Sequence, residues 1–194
     1  MHKRDFAIII LAAGSSARLG HPKQLVVFEN ESLLKRSVQQ ALQLSSHVFV
    51  VLGHEHQACM SAISDLPVQI LFNQNYAKGM GNSLSFGISH TVSFSQTLIM
   101  LCDQPFIPLS HYQALLDVTC KDLIVASLYE LEQKKAVPAL FPQKYYMDLM
   151  KLDADKGAQA LLKEEKCLHV TLESMYTIDI DTPEDVEKHL RKSS

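Results

Sequence analysis

Five runs dominated by Ile, Val and Leu, at residues 6–11, 48–52, 68–72, 98–101 and 123–128, recur along the chain, and segments of helical spacing separate them. Residues 32–44 place Leu33, Leu34, Val38, Ala41 and Leu42 on one helical face. Residues 112–118 form another helical segment behind Ser110, a candidate N-cap. Strands that are apolar throughout must be covered on both faces, and helical crossovers supply the cover. The alternation therefore predicts a three-layer α/β/α, Rossmann-like fold with a mostly parallel sheet. With 194 residues, 47% of them hydrophobic, the chain 1–194 is expected to form a single domain.

The rhythm weakens after residue 128. Residues 129–135 are polar, and the short apolar piece 138–141 is expected as an antiparallel edge hairpin within an inserted, substrate-facing element. Residues 143–151 and 157–166 read as two short helices, and 175–180 as a strand. That strand enters a helix start with Thr182 as cap, Pro183 at the first position and Glu184 and Asp185 in the first turn.

Composition excludes several partners. The net charge of -3 carries no excess of Lys and Arg, so a nucleic-acid backbone is not expected as a ligand. The longest strongly apolar run, 6–13, falls far short of the roughly 20 residues that span a bilayer, and no secretory leader is recognisable. Cys59, Cys102, Cys120 and Cys167 lack metal-binding spacing and read as free thiols of a cytoplasmic protein. His54 and His56 are expected to be solvated.

Four segments carry chemistry. The loop LAAGSSARLGHPK, residues 11–23, follows the first strand directly, where a parallel sheet exposes its ligand-binding edge. Small Gly14 lets backbone N–H groups approach phosphate oxygens, Ser15 and Ser16 add donors, and Arg18 and Lys23 supply charge for a triphosphate. Neither GxGxxG nor GxxxxGK[ST] can be written through it, which argues against a dehydrogenase and a P-loop ATPase. In LIMLCDQP, residues 98–105, a buried strand runs into Asp103, a candidate Mg²⁺ ligand. In NQNYAKGMGNSL, residues 73–84, glycines precede a helix start that Asn82 or Ser83 can cap. In DIDTPED, residues 179–185, strand alternation puts Asp179 and Asp181 on one side and Ile180 in the core, so that either carboxylate is positioned to join Asp103 on the metal.

LAAGxSxRxGxxK resembles the signature of the MobA-like nucleotidyltransferases. CDQP resembles the GDQP motif of the molybdenum cofactor cytidylyltransferase group, with Cys102 in place of Gly, while GMGNSL and DIDTPED resemble two further motifs of the family. The resemblance implies that Leu11, Ala12, Ala13, Gly14, Ser15, Ser16, Arg18 and Lys23 hold an NTP, with Arg18, Lys23 and Asp103 central to catalysis. It implies that Gly79, Gly81, Asn82 and Ser83 contact base and ribose, that LAAG rather than LAGG favours CTP over GTP, and that Mg²⁺ is required. CMP would then pass to a phosphorylated acceptor such as the molybdenum cofactor, for use by a molybdenum hydroxylase or its chaperone. The acceptor side departs from the family pattern: Lys135-Ala136-Val137-Pro138 stands where RGxP is common, and Asp155-Lys156-Gly157-Ala158-Gln159 where DxGAR is common. Lys134, Lys135 or Lys156 offers charge without the fork of an Arg. A GTP-using molybdopterin guanylyltransferase, a sugar- or alditol-phosphate cytidylyltransferase and a non-catalytic protein that delivers cofactor stay open as alternatives.

Overall fold

The computed structural model describes residues 5–118, 122–153, 157–164 and 166–191. The chain runs β1 (Phe6–Ala12), β2 (Val27–Phe28), β3 (Glu31–Ser32), α1 (Leu33–Leu44), β4 (Val48–Leu52), α2 (His56–Ala62), β5 (Gln69–Phe72) and α3 (Met80–Ser89). It continues through β6 (Gln96–Leu101), α4 (Leu109–Asp117), β7 (Val125–Tyr129), β8 (Lys134–Pro142), α5 (Tyr146–Met150), α6 (Gln159–Glu164), β9 (Leu168–Leu172) and α7 (Pro183–Asp185). Among the described residues the main sheet has seven strands in the order β5-β4-β1-β6-β8-β7-β9, and β8 alone runs against the others. No helix among them is long and apolar enough to cross a membrane.

Strand periodicity divides the core in two. From β1, Ile8, Ile10 and Ala12 enter the layer covered by α1, α2 and α4, whereas Ala7, Ile9 and Leu11 enter the layer covered by α3, α5 and α6. Each layer buries Val, Ile and Leu completely, at about 1.5–3 kcal/mol per side chain. A third, smaller cluster of Leu19, Val26, Leu33, Ile180 and Leu190 packs the C-terminal segment beneath the loop after β1. That cluster decides where Asp179 and Asp181 lie.

Three expectations need correction. The apolar piece around Pro138 is no edge hairpin: β8 lies inside the sheet between β6 and β7, and the register breaks between Ala126 and Ser127, where it pairs with β7. The edge strand at that end of the sheet is β9, in which Leu168, Val170 and Leu172 alternate with exposed His169 and Thr171. Residues 175–180 form a turn and an extended segment, tied to the sheet edge by the N–H of Ile180, which donates to the Asp103 carbonyl at 2.9 Å. Ser110 also caps nothing, since α4 begins after Pro108. Cys120, Asp155 and Lys156 lie outside the described residues.

A buried polar relay joins α4, β7 and β8. The Ser127 hydroxyl donates to the Pro138 carbonyl at 2.7 Å, so its oxygen accepts from His111 Nε2–H at 2.8 Å. Burial lowers the His111 imidazole to about 4, from an ordinary 6.5. As pH falls below 6.5 the unfolded chain binds a proton that the folded chain refuses until about pH 4, so stability is lost on acidification. Wild type is expected to lose about 3 kcal/mol more than His111→Gln between pH 7 and pH 4, read from urea unfolding. Parallel stability curves for the two proteins would contradict this.

Candidate active site

The loop after β1 is held from below by Gln24, which belongs to none of the sequence motifs. Gln24 is fully buried, and its Nε2 donates to the carbonyls of Ala12 and Gly14 at 2.9 Å each. Ser16 turns the loop through a positive φ of 54°, and its Oγ accepts from the Lys23 N–H at 3.0 Å. The Ser16 hydroxyl is thus committed to the loop itself. Gly14 is exposed on the open side, where an added Cβ would meet nothing within 4 Å. Gln24→Ala leaves two carbonyls without their donor and is expected to cost about 2 kcal/mol, measured by urea unfolding, and to weaken nucleotide binding, measured by calorimetric titration.

Gly53, after β4, packs so closely that a Cβ would fall 2.4 Å from Tyr76 Cβ and 2.7 Å from the Ala13 carbonyl oxygen. That contact fixes the turn carrying Tyr76 against the loop. Gly79 adopts a φ of 109°, open in practice to glycine alone, and starts α3. Asn82 and Ser83 therefore do not cap the helix: Asn82 Oδ1 and Ser83 Oγ both accept from Asn73 Nδ2 at 3.1 Å.

These loops enclose a cleft of about 490 Å³ beside the carboxyl ends of β1 and β6. Leu11, Ala12, Ala13, Gly14, Ser15, Lys23, Gly79, Ser83 and Asp103 line it, joined by Gln24, Tyr76 and Met80, which the sequence did not single out. Gly81 is buried in the first turn of α3. Arg18, largely exposed, stands at the loop's outer side and donates to Asp181 Oδ2 at 2.8 Å. His54 and His56 are half-buried, His56 stacking on Phe72 at 3.9 Å between centroids.

At the base of the loop Lys23 Nζ donates to Asp103 Oδ2 and, at 2.7 Å, to Asp181 Oδ1. Burial disfavours the Lys23 ammonium, but the Asp103 charge and the bonds to both carboxylates outweigh it and hold the group well above its ordinary value. Burial likewise raises Asp181, yet Lys23 and Arg18 bring its carboxyl below the usual range. Asp179 takes another direction: its Oδ1 accepts from Gln104 Nε2 at 2.9 Å. Partial loss of water around its carboxyl, with the charges of Asp103 and Asp181 nearby, lifts Asp179 to about 6, although the residue stays exposed and the Gln104 bond opposes the shift.

The three carboxylates are therefore not one cluster, and among the described residues no three acidic, His or Cys groups are gathered as a metal site. A pair fits better. Asp103 Oδ1 is buried with no hydrogen-bond partner, and Asp103 and Asp181 share one cation, the Lys23 ammonium. One or two carboxylates, with remaining ligands from phosphate and water, is the donor set that Mg²⁺ accepts.

A mostly parallel α/β/α sandwich with an anion-ready loop and a carboxylate at adjoining strand ends is the nucleotidyltransferase fold. The sequence profile of the MobA-like NTP transferase domain matches residues 8–170, and the chain belongs to that family. It is 28% identical over 200 residues to the purine catabolism protein PucB of Bacillus subtilis, across 96% of each chain. It is 32% identical over 99 residues to nicotine blue oxidoreductase of Paenarthrobacter nicotinovorans, covering 50% of this chain and 48% of that one. Over 86 residues it is 34% identical to the molybdenum cofactor cytidylyltransferase of Escherichia coli, covering 41% and 42%. In structure it resembles Rv0371c of Mycobacterium tuberculosis, with a TM-score of 0.86 at 23% identity over 98% and 99% of the two chains. The manganese complex of Rv0371c superposes with a TM-score of 0.82 at 21% identity, over 96% and 98%.

Proposed function

We propose that this chain transfers CMP from CTP to a phosphorylated small molecule, the molybdenum cofactor being the favoured acceptor. The observation that carries the reading is Lys23, half-buried between Asp103 and Asp181 at the base of a loop whose glycine faces an open cleft. The E. coli relative is a molybdenum cofactor cytidylyltransferase, and the LAAG of residues 11–14 is of the kind that the family resemblance ties to CTP.

An acceptor phosphate oxygen forms a bond to the α-phosphorus of CTP while the bond from that phosphorus to the bridging oxygen of pyrophosphate breaks, the electron pair leaving with pyrophosphate. A phosphate monoester is largely ionised near pH 7, so no side chain need remove a proton. Backbone N–H groups around Gly14 and Ser15 bind the phosphates, while Lys23 and Arg18 neutralise charge on the α-phosphate and the leaving group. Gly79 and Ser83 border the base and ribose. Asp103 and Asp181 would hold Mg²⁺, which supplies charge neutralisation and alignment of the phosphates when bound; manganese in the Rv0371c complex is in keeping with such a requirement. A molybdenum hydroxylase or its chaperone, in the cytoplasm, is proposed as recipient of the product.

The test is pyrophosphate release with Mg²⁺ and each of CTP, GTP, ATP and UTP, with and without molybdopterin-type cofactor. Release with CTP that depends on the cofactor is the expected result. Preference for GTP would move the chain to the guanylyltransferases, and binding of CTP without release under any condition would identify a delivery protein.

A further inference from the structure

Asn73 directly follows β5 and is only 2% exposed, yet its side chain spends its whole hydrogen-bonding capacity on the wall of the cleft. Its Oδ1 accepts from the Asn75 N–H at 3.0 Å. A backbone N–H can only donate, so this bond fixes the amide and turns Nδ2 toward the first turn of α3. There Nδ2 gives one hydrogen to Asn82 Oδ1 and the other to Ser83 Oγ, each at 3.1 Å. The backbone is anchored as well, the Asn73 N–H donating to the Leu52 carbonyl at 2.9 Å.

The direction of these bonds determines what the cleft is offered. Ser83 lines the cleft and is 4% exposed, whereas Asn73 stands behind it. Because the Ser83 oxygen accepts from Asn73, its hydroxyl hydrogen is left to donate, and among the described residues no protein acceptor takes it. A buried donor left unpaired is costly, and an acceptor atom of a bound ligand removes that cost.

We propose that Asn73 is a positioning residue for nucleotide binding, which makes the Ser83 hydroxyl a donor aimed at an acceptor oxygen of the nucleoside. This inference rests on the nucleotidyltransferase reading and adds to it the group that sets the polarity of this wall. The phosphates are provided for by Lys23 and the backbone N–H groups of the loop after β1, which leaves a neutral donor on α3 to the base or the ribose.

Asn73→Asp reverses the wiring without removing it. The carboxylate keeps the Asn75 N–H, the Asn82 amide can turn its Nδ2 inward, and the Ser83 hydroxyl donates to the carboxylate instead of to the ligand, so the fold is expected to persist. Calorimetric titration should show CTP bound about tenfold more weakly by Asn73→Asp and about tenfold more weakly by Ser83→Ala, with the double variant no weaker than either. Inorganic triphosphate, which has neither base nor ribose, should bind wild type and all the variants alike. A matching loss of triphosphate affinity in Asn73→Asp would assign the effect to the added charge and overturn the proposal. Losses that add in the double variant, or unchanged CTP affinity in Ser83→Ala, would overturn it too. Should Asn73→Asp fail to fold, Ser83→Ala decides alone. Additive losses alongside acceptor-dependent pyrophosphate release would defeat this inference and leave the nucleotidyltransferase reading standing; coupled losses of CTP affinity in a protein that releases no pyrophosphate with any acceptor would support this inference and defeat that reading.

Discussion

Asp103→Asn is expected to lower acceptor-dependent pyrophosphate release by about a hundred- to a thousandfold, the scale of losing one preorganised electrostatic contact to a transition state. The substitution keeps the shape and one acceptor oxygen, and Lys23 keeps its bond to Asp181 at 2.7 Å, so the fold is expected to persist. It removes the charge and the anionic Oδ1, which is buried and has no protein partner. An amide in that place is a poorer ligand for a hard divalent cation. Release should therefore recover only in part when Mn²⁺ replaces Mg²⁺ at high concentration, whereas CTP binding measured without metal should change little. Full activity of Asp103→Asn would remove Asp103 from the catalytic centre and, with it, the main support for the proposed chemistry.

How much of this could be read from the sequence varied with the kind of evidence each element left there. The central strands β1, β4 and β6 are apolar because helices bury both faces of the sheet, and their runs located them to within a few residues. Only residues 138–141 of β8 stand out as apolar, after the polar stretch 129–135, which suggests a short edge hairpin rather than the nine-residue strand that lies inside the sheet with a register break against β7. The alternation in β9 was present but modest. Residues 175–180 imitated it, although Ile180 is buried in the small cluster under the first loop and not on a sheet face.

Motif positions brought Gly14, Ser15, Lys23, Gly79, Ser83 and Asp103 to one cleft. The residues that hold those groups in place were not legible, because Gln24, Gln104 and Tyr129 act through hydrogen bonds to partners that sequence spacing does not reveal. The division between Asp179 and Asp181 belongs to the same class. Alternation gave them a common side, whereas Gln104 holds one and Lys23 and Arg18 hold the other at the loop.

Lys23→Met provides the second large effect, because its result should depend on metal in a direction opposite to intuition. The side chain of Lys23 is 17% exposed and lies between carboxylates that are 12% and 27% exposed. Removing the ammonium leaves Asp103 and Asp181 close together without their shared cation, and breaking a largely buried pair from one side costs about 3 kcal/mol. Activity should fall about a hundred- to a thousandfold as well, since the same ammonium is proposed to meet the phosphates. In the absence of nucleotide, however, the variant should bind divalent cations more tightly than wild type, where the lysine competes for the same oxygens. Mn²⁺ titration followed by electron paramagnetic resonance reads this directly, and thermal unfolding reads it again: added Mn²⁺ should raise the Tm of Lys23→Met by more than it raises that of wild type. An equal Mn²⁺ response in the two proteins would mean that Asp103 and Asp181 are paired to Lys23 for structure alone, and that the divalent cation, if one is used, arrives entirely on the phosphates of the nucleotide.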